Sequence, residues 1–140
     1  MRALRLVMVV LASVAVLSAC APNTDKLIGT MWKLTVVTVT GTGSAIPPGV
    51  VPVADQARYT ITFNDDGTFN ATADCNSVGG SYTTSGNSMT ITPGPSTLVA
   101  CAAYSYGDAF VAALGQTATF AVSGSVLTLT TTGGNSLTFG

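Results

Sequence analysis

The stretch ARYTITFNDDGTFNATADC, Ala57–Cys75, decides the fold. Ala57, Tyr59, Ile61 and Phe63 alternate with Arg58, Thr60 and Thr62. Successive side chains of a strand point to opposite faces, so the first set faces a core and the second faces outward. Asn64–Gly67, NDDG, is a tight turn built from residues that tolerate turn geometry. The chain then returns with Phe69, Ala71, Ala73 and Cys75 on one face. This is a β-hairpin, and it places Cys75 on the core side.

The same pattern extends in both directions. Upstream, MWKLTVVTVT places Trp32, Leu34 and Val36 on one face, then Val37 and Val39 on the other, which predicts a bulge or a change of covering. Between these strands Gly41–Asp55 reads as a long Pro/Gly loop. Downstream, GGSYTTSGNSMTIT is a hairpin turning near Ser85–Ser88, with Met89 and Ile91 inward. The last third reads as three strands, turning at Ser123–Ser125 and near Gly133–Gly134. Its core candidates are Phe120, Val122, Leu127, Leu129, Leu137 and Phe139.

One segment breaks the period of two. Ser105–Gln116 places Ala109, Phe110, Ala113 and Leu114 on one helical face. Ser105 with Asp108 is patterned as a capping box, and Gly115 as a stop. The fold expected is mainly β: a small antiparallel β-barrel-like domain of about eight strands with one short α-helix. Closure of such a sheet removes exposed edges.

The N-terminus reads as an address. Arg2 and Arg5 precede an apolar run, Leu6–Leu17, about as long as a signal-peptide core and shorter than the roughly 20 residues that span a bilayer. Leu17–Cys20, LSAC, resembles a bacterial lipobox. It predicts a signal peptide over 1–19, lipidation of Cys20, a polar tether over 20–26 and a domain over 27–140. Two or more acyl chains anchor stably, so the expected partner is a membrane, through the lipid on Cys20. The expected place is the cell envelope, facing the periplasm or the exterior.

Composition excludes other classes. Of 140 residues, 8% are charged, the net charge is −1, and His and Glu are absent. Beyond residue 20 the basic residues are Lys26, Lys33 and Arg58, too few for the basic stripe that nucleic acid requires. Cys75 and Cys101 remain after Cys20. Export favours a bridge, which would close a loop of about 27 residues and stabilise by about 3.5 kcal/mol. The competing reading is a reactive thiol pair, but no His is present to activate a cysteine and the spacing is not Cys-x-x-Cys.

Other residues carry two readings each. Asp65 and Asp66 suggest a cation site but lack the calcium-loop spacing, so a solvated turn is the simpler reading. Asn76 is either an oxyanion donor or a side chain satisfying backbone groups at a turn. Trp32 stacks on a ligand or packs in the core. The segment AIPPGVVPVA, Ala45–Ala54, docks a partner or lies over a barrel opening. Tyr82, Tyr104 and Tyr106 flank the two cysteines in sequence and form the candidate partner surface, since tyrosine joins an apolar body to a polar tip.

In order along the chain, LIGTMWKL (Leu27–Leu34), ITFNDDGTF, DCNSVGGSY, STLVACAAY and DAFVAALGQTATFAVSGSVLTL resemble the META domain of HslJ-like heat-shock lipoproteins and exported proteins. The resemblance implies a small barrel-like fold with one helix, a place in the cell envelope and a link to stress or antibiotic tolerance. It implies no catalytic activity. Family members are similar in carrying glycine where this chain has Asp74 and Ala71, and a bulky residue where it has Val78. The second cysteine of the pattern corresponds to Cys101. The reading is a non-enzymatic, monomeric envelope lipoprotein that binds an envelope protein, glycan or lipid. It needs no cofactor, metal or catalytic residue. The alternatives are a thiol-dependent redox protein or enzyme using Cys75 and Cys101, or a barrel binding a small apolar ligand.

Overall fold

The computed structural model describes residues 24–140. The leader, Cys20 and the first residues of the tether lie outside them. Nine antiparallel strands form one sheet: β1 (Met31–Thr38), β2 (Gly49–Val50), β3 (Tyr59–Phe63), β4 (Thr68–Ala73), β5 (Asn76–Ser85), β6 (Ser88–Ser96), β7 (Thr117–Ser123), β8 (Val126–Thr131) and β9 (Ser136–Phe139). The order is β2-β1-β3-β4-β5-β6-β7-β8-β9, and β9 also pairs with β1, so the sheet closes into a barrel-like ring. Three short helices accompany it: α1 (Thr24–Leu27), α2 (Val53–Gln56) and α3 (Gly107–Gly115).

The mainly-β expectation holds, with two additions. The Pro/Gly loop contains the two-residue β2, paired to β1 through Val36 and Val37, and then α2. The polar tether ends in a helical turn, α1, whose Leu27 is buried and whose carbonyl accepts from Trp32 Nε1 at 3.1 Å. Trp32 is thus a core residue, 2% exposed. The predicted bulge lies between Leu34 and Val36; it returns Val37 to the core after Trp32 and Leu34.

The two ends of the ring differ. Gly29 N–H donates to Phe63 O at 2.8 Å, which puts α1 beside the end of β3. The hairpin turns β3–β4, β5–β6 and β7–β8 lie at this α1 end, and each holds a glycine at positive φ: Gly67, Gly86 and Gly124. The opposite end is covered by α3. Phe110 and Leu114 of α3 are fully buried, and Phe110 meets Tyr59 edge-on with ring centroids 5.6 Å apart. β6 and β7 share one paired position, Ser88 with Thr119, and the chain between them runs through α3. The helix therefore closes over the ring where the ladder between those strands is thinnest.

Several local expectations change. Ser105 does not cap α3: Tyr106 occupies the N-cap position without a side-chain hydrogen bond, and Ser105 Oγ accepts from Gly107 N–H at 3.2 Å. Gly107 lies so close to β4 that an added Cβ would sit 2.8 Å from Ala73 O. Packing of helix on strand, more than a capping box, fixes where α3 begins. Thr60, expected outward, is buried. Cys75, expected inward, is exposed, for a reason that belongs to the site.

Candidate functional site

Alternation along β4 stops at Ala73. Ala73 pairs with Asn76, so Asp74 and Cys75 form a two-residue hairpin loop. Asp74 takes φ 62°, the left-handed region. A two-residue loop with positive φ at its first position favours glycine there. Aspartate is among the few other residues that visit this region, through local hydrogen bonding. This turn swings the Cys75 side chain out of the alternation, so the sulfur faces outward and the Asp74 carboxylate goes inward.

Cys75 and Cys101 are bonded, with Cα atoms 5.5 Å apart, inside the usual range for a disulfide. Asn76 supplies a second tie. Its Nδ2 donates to Val99 O at 3.0 Å, and its Oδ1 accepts from Val99 N–H at 2.8 Å and from Thr97 Oγ1 at 3.0 Å. The side chain imitates a strand partner for the segment 97–99. Of its two readings, satisfaction of backbone groups is the one observed. The glycine pair after it has a steric cause: a Cβ at Gly80 would meet Thr92 O at 2.3 Å and the Phe69 ring at 2.5 Å.

The buried Asp74 carboxylate, with its side chain 1% exposed, is paired to Arg58 through Nε and Nη2. Arg58 Nη1 reaches Asp55 Oδ1 at 3.3 Å. The Ser105 hydroxyl beside it, and then the Arg58 guanidinium, hold the Asp74 carboxyl below the usual carboxylate range against the opposing effect of burial. Its Oδ2 has no hydrogen-bond partner among the described residues. Asp74 and Asp55 in turn raise Arg58.

These ties fix the walls of a cleft at the α3 end, about 270 Å³ in volume. One wall is the proline loop from Ile46 to Pro52, with Ile46 buried and Val50 exposed. The facing wall carries Tyr104 and Tyr106 from the disulfide-pinned segment, over Tyr59. Tyr106 N–H donates to Tyr59 Oη at 3.2 Å. Asp55 and Arg58 complete the lining. Of the lining residues, Tyr104, Tyr106 and, opposite them, Val50 are exposed; Leu98 and Val99, earlier on the disulfide-pinned segment, are exposed outside the lining. A run of exposed apolar side chains around a cleft is the surface feature that marks binding sites. A larger depression, about 610 Å³, lies outside the sheet near Met31, Asn70 and Pro95. It is more open, and its lining mixes threonine and serine hydroxyls with Met31, Val78 and Pro95, with no charged or aromatic side chain.

Tyr82 does not join this cleft. It lies on β5 opposite Ile91, packs edge-on against Phe63 at 4.8 Å and donates to Asn64 O at 2.7 Å. Burial, with Asp65 and Asp66 nearby, pushes its phenol up. Nearness in sequence to Cys75 grouped it with Tyr104 and Tyr106; strand register carries it toward the other end. Asp65 and Asp66 form an exposed turn, where Asp66 Oδ1 accepts from Thr68 N–H and Oγ1. The Thr68 contacts hold the Asp66 carboxyl below its ordinary range. No group of three metal-binding side chains occurs among the described residues. Sequence reasoning missed Asp55, Arg58 and Tyr59 as cleft residues. The signal available was the proline-rich loop directly before them.

A closed antiparallel ring capped by one helix, stapled by a disulfide and opening in an aromatic cleft, defines a small mainly-β domain. The family model of the META domain matches residues 25–140, and the chain belongs to that family. Among solved structures, a DUF4847 family protein from Bacteroides vulgatus is similar with a TM-score of 0.63 at 15% identity, covering 82% of this chain and 94% of that one. A protein from Burkholderia xenovorans is similar with a TM-score of 0.64 at 25% identity, covering 83% of each. No curated protein sequence matches the chain.

Proposed function

We propose that this META domain protein is a non-enzymatic, lipid-anchored module of the bacterial cell envelope that holds a partner molecule at its cleft and supports tolerance of envelope stress or antibiotics. The observation that carries the reading is the cleft between the proline loop and the disulfide-pinned tyrosines. Its walls are held by a covalent bond and by side-chain hydrogen bonds, so the site is largely pre-formed, as small binding sites are. The lipobox-like Leu17–Cys20 supports the anchor. α1 leads from the tether into the end of the ring opposite the cleft, so an anchored chain presents the cleft away from its own membrane.

A thiol-dependent reaction has little support. The two sulfurs share one bond, His is absent from the chain, and Asn76 is committed to Thr97 and Val99. The ring interior is packed with Phe63, Phe69, Phe110 and Phe139, which disfavours an apolar ligand inside it. The test is genetic. A strain lacking the chain loses tolerance to heat, detergent or envelope antibiotics; the unaltered gene restores it, and Cys20→Ser or Tyr106→Ala does not. Full tolerance in the deletion strain sinks the stress role. Full rescue by Tyr106→Ala sinks the cleft as the place where it acts.

A further inference from the structure

The charge of the cleft does not balance. Arg58 and Asp55 are its charged lining residues. Arg58 already has a complete partner, because Nε and Nη2 both engage the buried Asp74. A buried carboxylate stripped of its counter-charge is strongly destabilising, so this pair stays together. Arg58 and Asp74 therefore act as a neutral unit. Asp55, with its side chain 42% exposed, is left with one long contact to a guanidinium that is already neutralised. Lys26 and Lys33, the other basic residues among those described, do not line the cleft. The missing component is a cation.

The aromatic lining matches that deficit. Tyr59, Tyr104 and Tyr106 share the cleft with Asp55. Aromatic faces attract cations through the ring quadrupole, most strongly where water is excluded. Tyr104 is the informative one. It is 93% exposed, so it adds almost nothing to the core, and its φ is 68°. A bulky residue in that region is strained, and such strain concentrates at ligand-binding positions. Glycine would take the same backbone without strain, so the ring is what the position retains.

We propose that the cleft binds a small organic cation, an ammonium or amidinium group on an apolar body, with its charge at Asp55 and its body between Tyr104, Tyr106 and the Ile46–Val51 loop. This rests on the cleft being the binding site and adds the class of molecule. The volume, about 270 Å³, is at the lower edge of ligand sites and suits a free small molecule.

The test is calorimetric titration of the full chain in a non-ionic detergent, with empty micelles as the blank. The probes are phenethylammonium, neutral 2-phenylethanol, phenylacetate and the tripeptide Gly-Lys-Gly. Phenethylammonium is expected to bind one to one, about tenfold tighter than 2-phenylethanol. Phenylacetate and the tripeptide are expected to bind more weakly still. Asp55→Asn is expected to abolish the preference for the cation while the neutral probe binds as before. Tyr104→Gly is expected to weaken the cation about fivefold with no loss of melting temperature. Equal affinity for the cation and the alcohol overturns the cation while leaving the cleft as a binding site, as does a preference that survives Asp55→Asn. Tighter binding of the tripeptide overturns the free molecule in favour of a peptide-borne cation. Binding of no probe overturns the proposal, and the Tyr106→Ala complementation then judges the cleft by itself.

Discussion

The two ends of the ring are built by opposite means. At the α1 end three tight turns join neighbouring strands, and Gly67, Gly86 and Gly124 take the positive φ those turns need. At the α3 end the connections range from the two-residue Asp74–Cys75 loop to the long runs after β1 and β6. The two non-glycine residues at positive φ among the described residues, Asp74 and Tyr104, both lie there. Local backbone chemistry suffices for the first end. The second is held by ties between residues distant in sequence: the Cys75–Cys101 bond, the Asn76 clamp on Val99, and Arg58 on Asp74. A closed sheet with one locally specified end leaves the other free to carry a site, at the cost of pinning it from outside.

The largest expected effect comes from removing the staple. Replacing Cys75 and Cys101 together by Ser is expected to cost about 3.5 kcal/mol, the loop entropy restored to the unfolded chain. Chemical denaturation measures it. Amide exchange in the variant sharpens the comparison: protection is expected to fall first over 97–106, while the β3–β4 hairpin keeps its protection. Uniform loss in both regions would mean that the two ends are not separately held. Gly80→Ala follows, at about 2 kcal/mol, because the added methyl collides with backbone and with the buried Phe69 ring. An unchanged melting curve for that variant contradicts the packing described.

Asn76→Ala removes the clamp but keeps the sulfur bridge. The expected cost is about 1 kcal/mol, the net worth of hydrogen bonds to the exposed Thr97–Val99 segment. Exchange should again quicken over 97–99. No loss of stability would assign the whole restraint to the disulfide.

Acid probes the third tie. The Asp74 carboxyl is held below its ordinary range when folded, so it is ionised in the native state at pH values where the unfolded chain has begun to protonate. Its contribution is present above the unfolded value near 3.9 and is lost as pH falls through the lower native value. Stability should decline in that acidic window, and Asp74→Asn should flatten the decline. The effect is modest, since the Arg58 side chain is 43% exposed and screened by solvent. An identical acid profile in the variant would remove Asp74 from the account.

The contrast between the ends also sorts what the sequence made legible. The hairpins of the α1 end were readable because alternation and turn residues are local signals: Ile61, Phe63, Phe69 and Leu129 are all buried as expected. The α3 end was readable only in parts. Alternation carried through Asp74 put Cys75 on the wrong face, because one left-handed residue resets the side-chain phase. The Pro/Gly loop hid β2 and α2, whose short pieces are stabilised by pairing to β1 and by Gln56 Nε2 donating to Val51 O. Tyr104 and Tyr106 could be singled out as amphipathic residues near a cysteine. That Asp55 and Arg58 stand beside them depends on the Arg58–Asp74 pair across a strand turn, which no local pattern encodes.

Tyr104→Gly carries the smallest expected effect on stability and separates the ends most sharply. A tyrosine in the left-handed region is strained by about 1–2 kcal/mol, and glycine relieves it. Glycine also gives the unfolded chain more freedom, which takes back about 0.5–1 kcal/mol. With the ring 93% exposed, little packing is lost. The net is a stabilisation of up to about 1 kcal/mol, against a loss at the cleft. The same logic gives the opposite sign at the α1 end: Gly86→Tyr, in open space at φ 59°, adds strain without removing any site. If Tyr104→Gly destabilises instead, the ring has a structural task and its exposure is no sign of a ligand. If it stabilises while binding and complementation fall, strain has been kept at this end for the sake of the site.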